Sequence, residues 1–399
     1  MYGSTISRAS LRLVSLFSTA LLTAAIMVVP AAQAQTGHVL HDFTGGANDG
    51  STPEGVVTVD QAGNVYGSTQ AGGPSGFGMV FRAAKRNGAF TYAPLYFFHG
   101  GDGDQPFSGP IIGPDGALYG TTFFGGNCGG CGVVYKLTPP PTFCRMVLCS
   151  WDETVIYLPS GSEPSGLYAG IVFDNAGNIY GASFNGGAFA AGAIYKLSPS
   201  GGGNYTETTL YSFTGGDDGG HPMTTVALDA AGNIYGATDF DGADSRGTVF
   251  KLVHEAGGYS FQLLHTFPGG SDLGMPSGSV VLDSAGNLYG AGYSGIFQIT
   301  PSGTYTLIDT QALGLQSPIN IDAAGNIYGT TYGGGEYGNG SAFKDTYSNG
   351  VWTHNVVFSF GGQSGGLPLS DVGLDSSGNM YVTATFGGVS DGTLVQVTP

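Results

Sequence analysis

Charge is scarce in this chain, and positive charge most of all. Only 10% of the 399 residues are charged, and 11 Lys and Arg face 28 Asp and Glu, for a formal net charge of −17. So few basic residues exclude a phosphate-tracking surface, which needs clustered Lys and Arg, and disfavour anionic membranes for the same reason. Cations, neutral ligands and basic partners stay open. Catalytic signatures are missing too: there is no H-E-x-x-H, no G-x-S-x-G and no P-loop. Helical periodicity is absent beyond residue 34. The one long apolar run, LVSLFSTALLTAAIMVV at 13–29, follows Arg8 and Arg12 and precedes AQAQ, an A-x-A site for cleavage after Ala34. Together these features predict a secretory signal peptide over 1–34. The residue directly after that site is Gln35 and not cysteine, and the chain closes at GTLVQVTP without an apolar tail. The expectation is a soluble, monomeric product of residues 35–399, extracellular or periplasmic, with 9 basic against 28 acidic residues once Arg8 and Arg12 are removed.

Glycine (73 residues) and aromatics (12%) are what the chain has in excess. Without a G-X-Y period, that mixture reads as short strands and many tight turns rather than collagen or disorder. The octapeptide DAAGNIYG occurs at 229–236 and again at 322–329, with relatives starting at Asp60, Asp174, Asp283 and Asp375 and a worn copy, GPDGALYG, at Gly113. The shared tyrosines, Tyr66, Tyr119, Tyr180, Tyr235, Tyr289, Tyr328 and Tyr381, are separated by 53, 61, 55, 54, 39 and 53 residues. Each repeat holds a short apolar run ending in Asp, a D-x-x-G-N turn, a second strand, a Gly-rich loop, a third strand such as TVFKL, and an aromatic fourth strand such as TTLYSF. Four strands at this period predict a β-propeller blade. HVLHDFTGG (38–46) matches a fourth strand, and the last repeat stops after its third. The sequence therefore predicts an all-β, seven-bladed propeller of four-stranded antiparallel blades, closed by the N-terminal strand pairing with the last blade (3+1), which removes an exposed edge.

The combined pattern D-x-x-G-N-[IVL]-Y-G-[AST]-T, a GG loop and G-x-[VI]-[FY]-K-L-[ST]-P resembles the GloVer tandem repeat of exported bacterial proteins, over nearly all of 38–399. More distantly it is similar to NHL-type propeller repeats. Members often carry a C-terminal sorting anchor, which this pattern does not extend to here. The resemblance implies no reaction and no catalytic residue.

A residue stamped into every blade cannot mark a single site, so the Asp, Gly, Asn and Tyr of the turn are read as scaffold. Arg82, Lys136, Lys196, Lys251 and Lys344 share one third-strand position and are expected to pair internally with nearby acids. Strand alternation puts the D-x-x-G-N turns on one face, and the GG loops and blade connectors on the other. Binding residues are expected on that second face. Its Asp-rich connectors carry Asp102, Asp104, Asp217 and Asp218, beside Asp49 and Asp272. Oxygen ligands in Gly-rich turns suit Ca²⁺, but neither the EF-hand nor the RTX pattern is present, and ordinary turn chemistry is the expected account of them. Phe123, Phe124, Phe184, Phe189, Phe240, Tyr293, Tyr332, Tyr337 and Phe386 lie near the loops, either to stack on sugars or to cover the blade rims. His221 sits beside Asp217 and Asp218. Cys128, Cys131, Cys144 and Cys149 break the pattern. In an exported chain they predict disulfides, 128–131 and 144–149, over a zinc site. The repeat with GYSG in place of a GG loop opens a notch. The expected function is a non-enzymatic scaffold, without a cofactor, binding an extracellular glycan or protein through the Gly/Asp face. A polysaccharide-active hydrolase or lyase and a structural matrix or surface component are the alternatives. Converging acids near the axis would favour the enzyme; an aromatic platform without acids would favour binding.

Overall fold

The computed structural model describes residues 36–126, 128, 130–140, 151–160, 163–268, 276, 278–312, 314–315, 317–388 and 391–398. The expected signal peptide, and with it Cys144 and Cys149, lies outside the described residues. Among the described residues no helix is long and apolar enough to cross a membrane.

What the repeated octapeptide encodes is one hydrogen-bonded knot. In the fourth blade, one oxygen of Asp229 accepts the amides of Ala231 and Asn233, both at 2.9 Å; the other accepts the Asn233 amide side chain at 2.6 Å and the Tyr235 hydroxyl at 3.1 Å. Gly232 takes φ +83, a left-handed conformation that a side chain disfavours. The side-chain oxygen of Asn233, Oδ1, then accepts the amide of His254 at the end of the third strand. Around Asp60, Asp174, Asp283, Asp322 and Asp375 the same four bonds to the carboxylate recur. In the worn copy Asp115, two positions later, reaches the same tyrosine hydroxyl, Tyr119, at 3.0 Å. Burial alone would raise these carboxyls. The side-chain and backbone donors outweigh it and hold Asp174, Asp229, Asp283, Asp322 and Asp375 below the usual carboxylate range.

Each turn joins the short innermost strand to the second. The fourth blade runs Ala227–Leu228, Ile234–Thr238, Thr248–Glu255 and Gly258–Thr266 in spatial order. Six blades follow that order. The seventh consists of Gly373–Leu374, Met380–Ala384 and Thr393–Thr398, with Thr36–Asp42 as its outer strand. Thr36 pairs with Thr398 and Asp42 with Thr393, so the predicted 3+1 closure is present.

The glycine after each tyrosine has a packing cause. A Cβ on Gly236 would stand 2.5 Å from the Phe250 ring of the neighbouring third strand, and the same clash holds for Gly67 with Phe81, Gly181 with Tyr195 and Gly329 with Phe343. The seventh blade drops the glycine and the ring together: Val382 faces Val395. Buried side chains gather in seven clusters, each shared by two adjacent blades; Phe43, Tyr381 and Leu394 of the closing blade meet Val65 and Phe81 of the first.

The third-strand cations find a different partner from the one expected. Lys136, Lys196, Lys251 and Lys344 lie 5.1–5.5 Å from the ring centroids of Tyr119, Tyr180, Tyr235 and Tyr328. Only Lys136 is also in direct contact with an acid of its own turn, Asp115 at 2.6 Å. Elsewhere the acid is one link away, on the tyrosine hydroxyl. Gln298 and Gln396 hold the same position and donate to the Tyr289 and Tyr381 hydroxyls.

Outer strands meet across the blade interfaces at one recurrent position. His41 stacks on Tyr92 (3.4 Å between centroids), Tyr211 on Phe261 (4.7 Å) and His265 on Tyr305 (3.9 Å), while Phe358 lies over Gly37. Between the fifth and sixth blades Asp309 and His354 take these places, 3.0 Å apart.

The Gly/ring pairing makes a testable double-mutant cycle. Gly236→Val overpacks Phe250 and Phe250→Val leaves a cavity, each costing about 1–4 kcal/mol. Combined, they copy the seventh blade, so the double variant is expected to lose less than the sum of the two. Urea denaturation midpoints measure this, and strict additivity would contradict it.

Candidate binding site at the axis of the loop face

Connectors and Gly-rich loops share one face, as strand alternation requires. Asp104 and Phe124 exchange two backbone hydrogen bonds of 3.0 Å, and Gly220–Phe240 and Gly366–Phe386 form the same bridge in later blades. In these blades the seam ties the connector to the loop of the blade it enters.

The seam explains the connector acids. Asp102 accepts the Tyr96 hydroxyl and the His99 amide. Asp218 accepts the Tyr211 hydroxyl at 2.8 Å, the Thr214 amide at 2.9 Å and the Thr214 hydroxyl. Asp49 does the same with His41, Thr44 and Tyr92; burial is outweighed by these donors and its pKa falls to about 2. These carboxylates latch the connector to the outer strand. Asp104 is half-buried, its pKa raised by that burial against the Gln105 amide, and Asp217 is exposed. His221, at φ +53, turns from both acids and donates to the Phe184 carbonyl at 2.8 Å. Cys128 and Cys131 are joined as a disulfide, with Cα atoms 5.7 Å apart.

The structure brings a different set together. A cavity of about 360 Å³ opens at the axis of the loop face, lined from all seven blades. Six residues before the turn's first position stand Glu54, Phe107, Tyr168, Met223 and Leu369, and all five line it. Their counterparts in the fifth and sixth blades, Ser277 and Gln316, lie outside the described residues. The next position is small throughout: Gly55, Ser108, Ala169, Thr224, Gly278, Ser317 and Ser370. Small residues let the inner strands converge, and the position before them projects a blade-specific side chain onto the axis. Deeper, inter-blade hydrogen bonds stitch the inner strands, from the Gly170 amide to Thr225 and the Thr225 amide to Ser279.

Two acids face this cavity. Asp239, in the loop of the fourth blade, is 5% exposed, and its Oδ1 is buried with no hydrogen-bond partner. Burial raises its pKa well above the ordinary value. Glu54 is pushed up to about 7 by burial, against a hydrogen bond from the Gln70 amide. The Tyr168 hydroxyl lies in the field of both: burial, then the charges of Glu54 and Asp239, carry it to about 12. Phe107, Tyr168, Phe240 and Tyr293 line the cavity with the acids, and further rings pack around them. Phe107 packs at 4.6 Å on Tyr168, and Phe123 at 4.4 Å on Phe124. Phe184 continues this packing to His221 (4.7 Å) and Phe240 (6.3 Å). Phe124 and His221 thus belong to the surround of the cavity. Tyr332 borders a second groove of about 520 Å³ in the notch of the short blade, and Tyr293 lines both spaces.

Sequence reasoning passed over Glu54, Tyr168 and Asp239. One signal was available: aligned on the turn, the column Glu, Phe, Tyr, Met, Ser, Gln, Leu is dissimilar in every blade although its neighbour is uniformly small.

Fold and face define an all-β, seven-bladed propeller with a closed ring and an axial pocket. The Gloeobacter/Verrucomicrobia repeat matches residues 25–165 and 142–312, more than half of the chain, and the chain belongs to that repeat family. No curated protein sequence matches it. Among solved structures it is similar to the extracellular domain of a hybrid two-component system from B. thetaiotaomicron, at 11% identity and TM-score 0.57, over 91% of this chain and 39% of that one. A second such domain from B. thetaiotaomicron aligns at 14% identity and TM-score 0.54, covering 92% and 41%. PorZ, a bacterial surface component of the type-IX secretion system of Porphyromonas gingivalis, aligns at 14% identity and TM-score 0.51, covering 86% and 46%. The chain thus spans less than half the length of these structures, and at such identities the likeness is one of fold.

Burial of Glu54 has a pH signature. Its native pKa, about 7, lies above the unfolded value of 4.5, so its contribution is fully present below pH 4.5 and is lost as pH rises through 7. Glu54→Gln is expected to recover about 1–3 kcal/mol of that loss at pH 8 and to change little at pH 4.5. Thermal melts at the two pH values check it; an equal shift at both would contradict the assignment.

Proposed function

We propose that this protein is an exported binding propeller that holds a small neutral ligand, a sugar residue of an extracellular glycan, in the axial cavity of its loop face. Flat rings suit the apolar face of a pyranose, and buried carboxyl groups whose pKa is raised can donate to its hydroxyls as well as accept from them. The observation that carries this reading is buried Asp239, one oxygen of which has no hydrogen-bond partner, in the lining of a cavity that also presents Phe107, Tyr168, Phe240 and Tyr293. A buried polar atom without a partner is costly, and a ligand hydroxyl offsets that cost. Export is supported by the leader-like residues 1–34 and by a set of similar folds that serve as extracellular or surface domains.

A polysaccharide hydrolase is the second reading, since Glu54 and Asp239 are two carboxyls at one cavity. Two-carboxylate chemistry needs environments that push the pair apart, one acid protonated and the other ionised. Here burial is the largest influence on both and raises both, and neither has the set of donors that holds the turn aspartates below the usual carboxylate range.

An oligosaccharide panel tests this by calorimetry together with a reducing-end assay. Retention without product is expected. Tyr168→Ala and Asp239→Ala are each expected to weaken binding about tenfold or more, in line with the loss of one buried polar or stacking contact. Released reducing or unsaturated ends would overturn the non-enzymatic reading. Binding that both variants leave unchanged would remove the axial cavity from it.

A further inference from the structure

Two seven-fold columns of the repeat are broken in one place. The third-strand position after the Lys, Arg or Gln carries Ala83, Leu137, Leu197, Leu252, Ile299 and Val397 in six blades, all buried, and Asp345 in the sixth blade, 1% exposed. The outer-strand clasp position carries a ring in six blades and Asp309 in the fifth, 6% exposed. Both substitutions fall at the interface of the short blade with its successor. His354, paired in register with Asp345, completes a triad: its Nδ1 lies 2.8 Å from Asp345 Oδ1 and 3.0 Å from Asp309 Oδ2.

From these three residues the geometry points to a binding site for a first-row divalent cation, with Zn²⁺ as its best representative. One candidate ligand atom from each lies within 4.8 Å of the others. Zinc ligands at about 2.0–2.1 Å in a tetrahedron stand roughly 3.3 Å apart, so the two imidazole–carboxylate contacts need to open by only about 0.3–0.5 Å to share an ion. The donor set, one imidazole nitrogen and two carboxylates, fits a borderline cation better than Ca²⁺ or a soft ion. A second observation supports a missing partner. Asp345 Oδ2 is buried and unpartnered, whereas Asp309 is already oriented by the amides of Gln311 and Ala312. One imidazolium leaves two buried carboxylates under-compensated, and a divalent ion in place of the Nδ1 proton, which passes to solvent, compensates both. Access exists, because His354 and Gln311 line the notch groove that the missing GG loop leaves open. The ion would have three protein ligands and an open position, the arrangement of zinc sites that take a further ligand. This site is separate from the axial cavity and stands or falls independently of it.

Two substitutions copy other blades and so preserve packing: Asp345→Leu restores the column of Leu252, and His354→Phe that of Phe261. The test is calorimetric titration of the chelator-treated, untagged protein with ZnCl₂, followed by metal analysis after gel filtration. One tightly bound zinc per wild-type chain is expected, with a raised Tm, and at least a hundredfold weaker binding in either variant. No retained zinc in the wild type, or equal retention in a variant that melts cooperatively, would overturn the site. The first of these outcomes would leave the triad as a buried ion pair, and Asp345→Leu would then raise Tm in EDTA.

Discussion

The whole ring hangs on a carboxylate that faces inward along its own turn. Two oxygens of one aspartate satisfy two backbone amides, an asparagine side chain and a tyrosine hydroxyl, and so they set the turn, the start of the second strand and the direction of the tyrosine at once. The tyrosine ring carries the cation of the third strand, and the asparagine receives the far end of that strand. A blade is therefore specified locally, within about thirty residues and by polar bonds with strict geometry. Hydrophobic burial enters one level later, when neighbouring blades press their faces into shared clusters.

That hierarchy accounts for what could be read in the amino-acid sequence. Turn, strand order, blade number and closure follow from short-range patterns repeated seven times, and repetition averages out the ambiguity of any single copy. The candidate site resisted reading for the opposite reason. Asp102 and Asp218 look like ligands, since acids in glycine-rich connectors suit cations, yet their oxygens latch the connector to Tyr96 and Tyr211. Those partners lie only 6 and 7 residues away in sequence, but the latch is visible only once the outer strand has folded back over the connector. Glu54 and Tyr168 carry no motif at all. Their role comes from a common offset to the turn, which gains meaning only when seven inner strands converge on one axis.

Departures from the repeat are consequently the informative letters. The pair Val382 and Val395 departs together and is a compensated packing change. Asp309 and Asp345 depart together as well, but they replace apolar and aromatic groups with charge at a blade interface, beside the one blade whose loop is missing. The break from F-K-L to F-K-D is legible in sequence; its convergence with Asp309 from the preceding blade is not, because the two lie on different sheets.

Closure by the strand Thr36–Asp42 carries a consequence for the order of folding. In a chain that emerges from its N-terminus, this strand appears first and its partner, Thr393–Thr398, last. Every other outer strand follows its third strand in sequence. The entropy of closing so long a loop grows only with the logarithm of its length, about 0.6 kcal/mol per doubling, so the delay is one of time rather than of equilibrium. Until the final strand arrives, the first is an unpaired edge, and the growing stack of blades is an open arc able to accept a strand from another molecule. Polar and small residues on that waiting strand, TGHVLHD, suit a segment that has to remain single until the ring is complete.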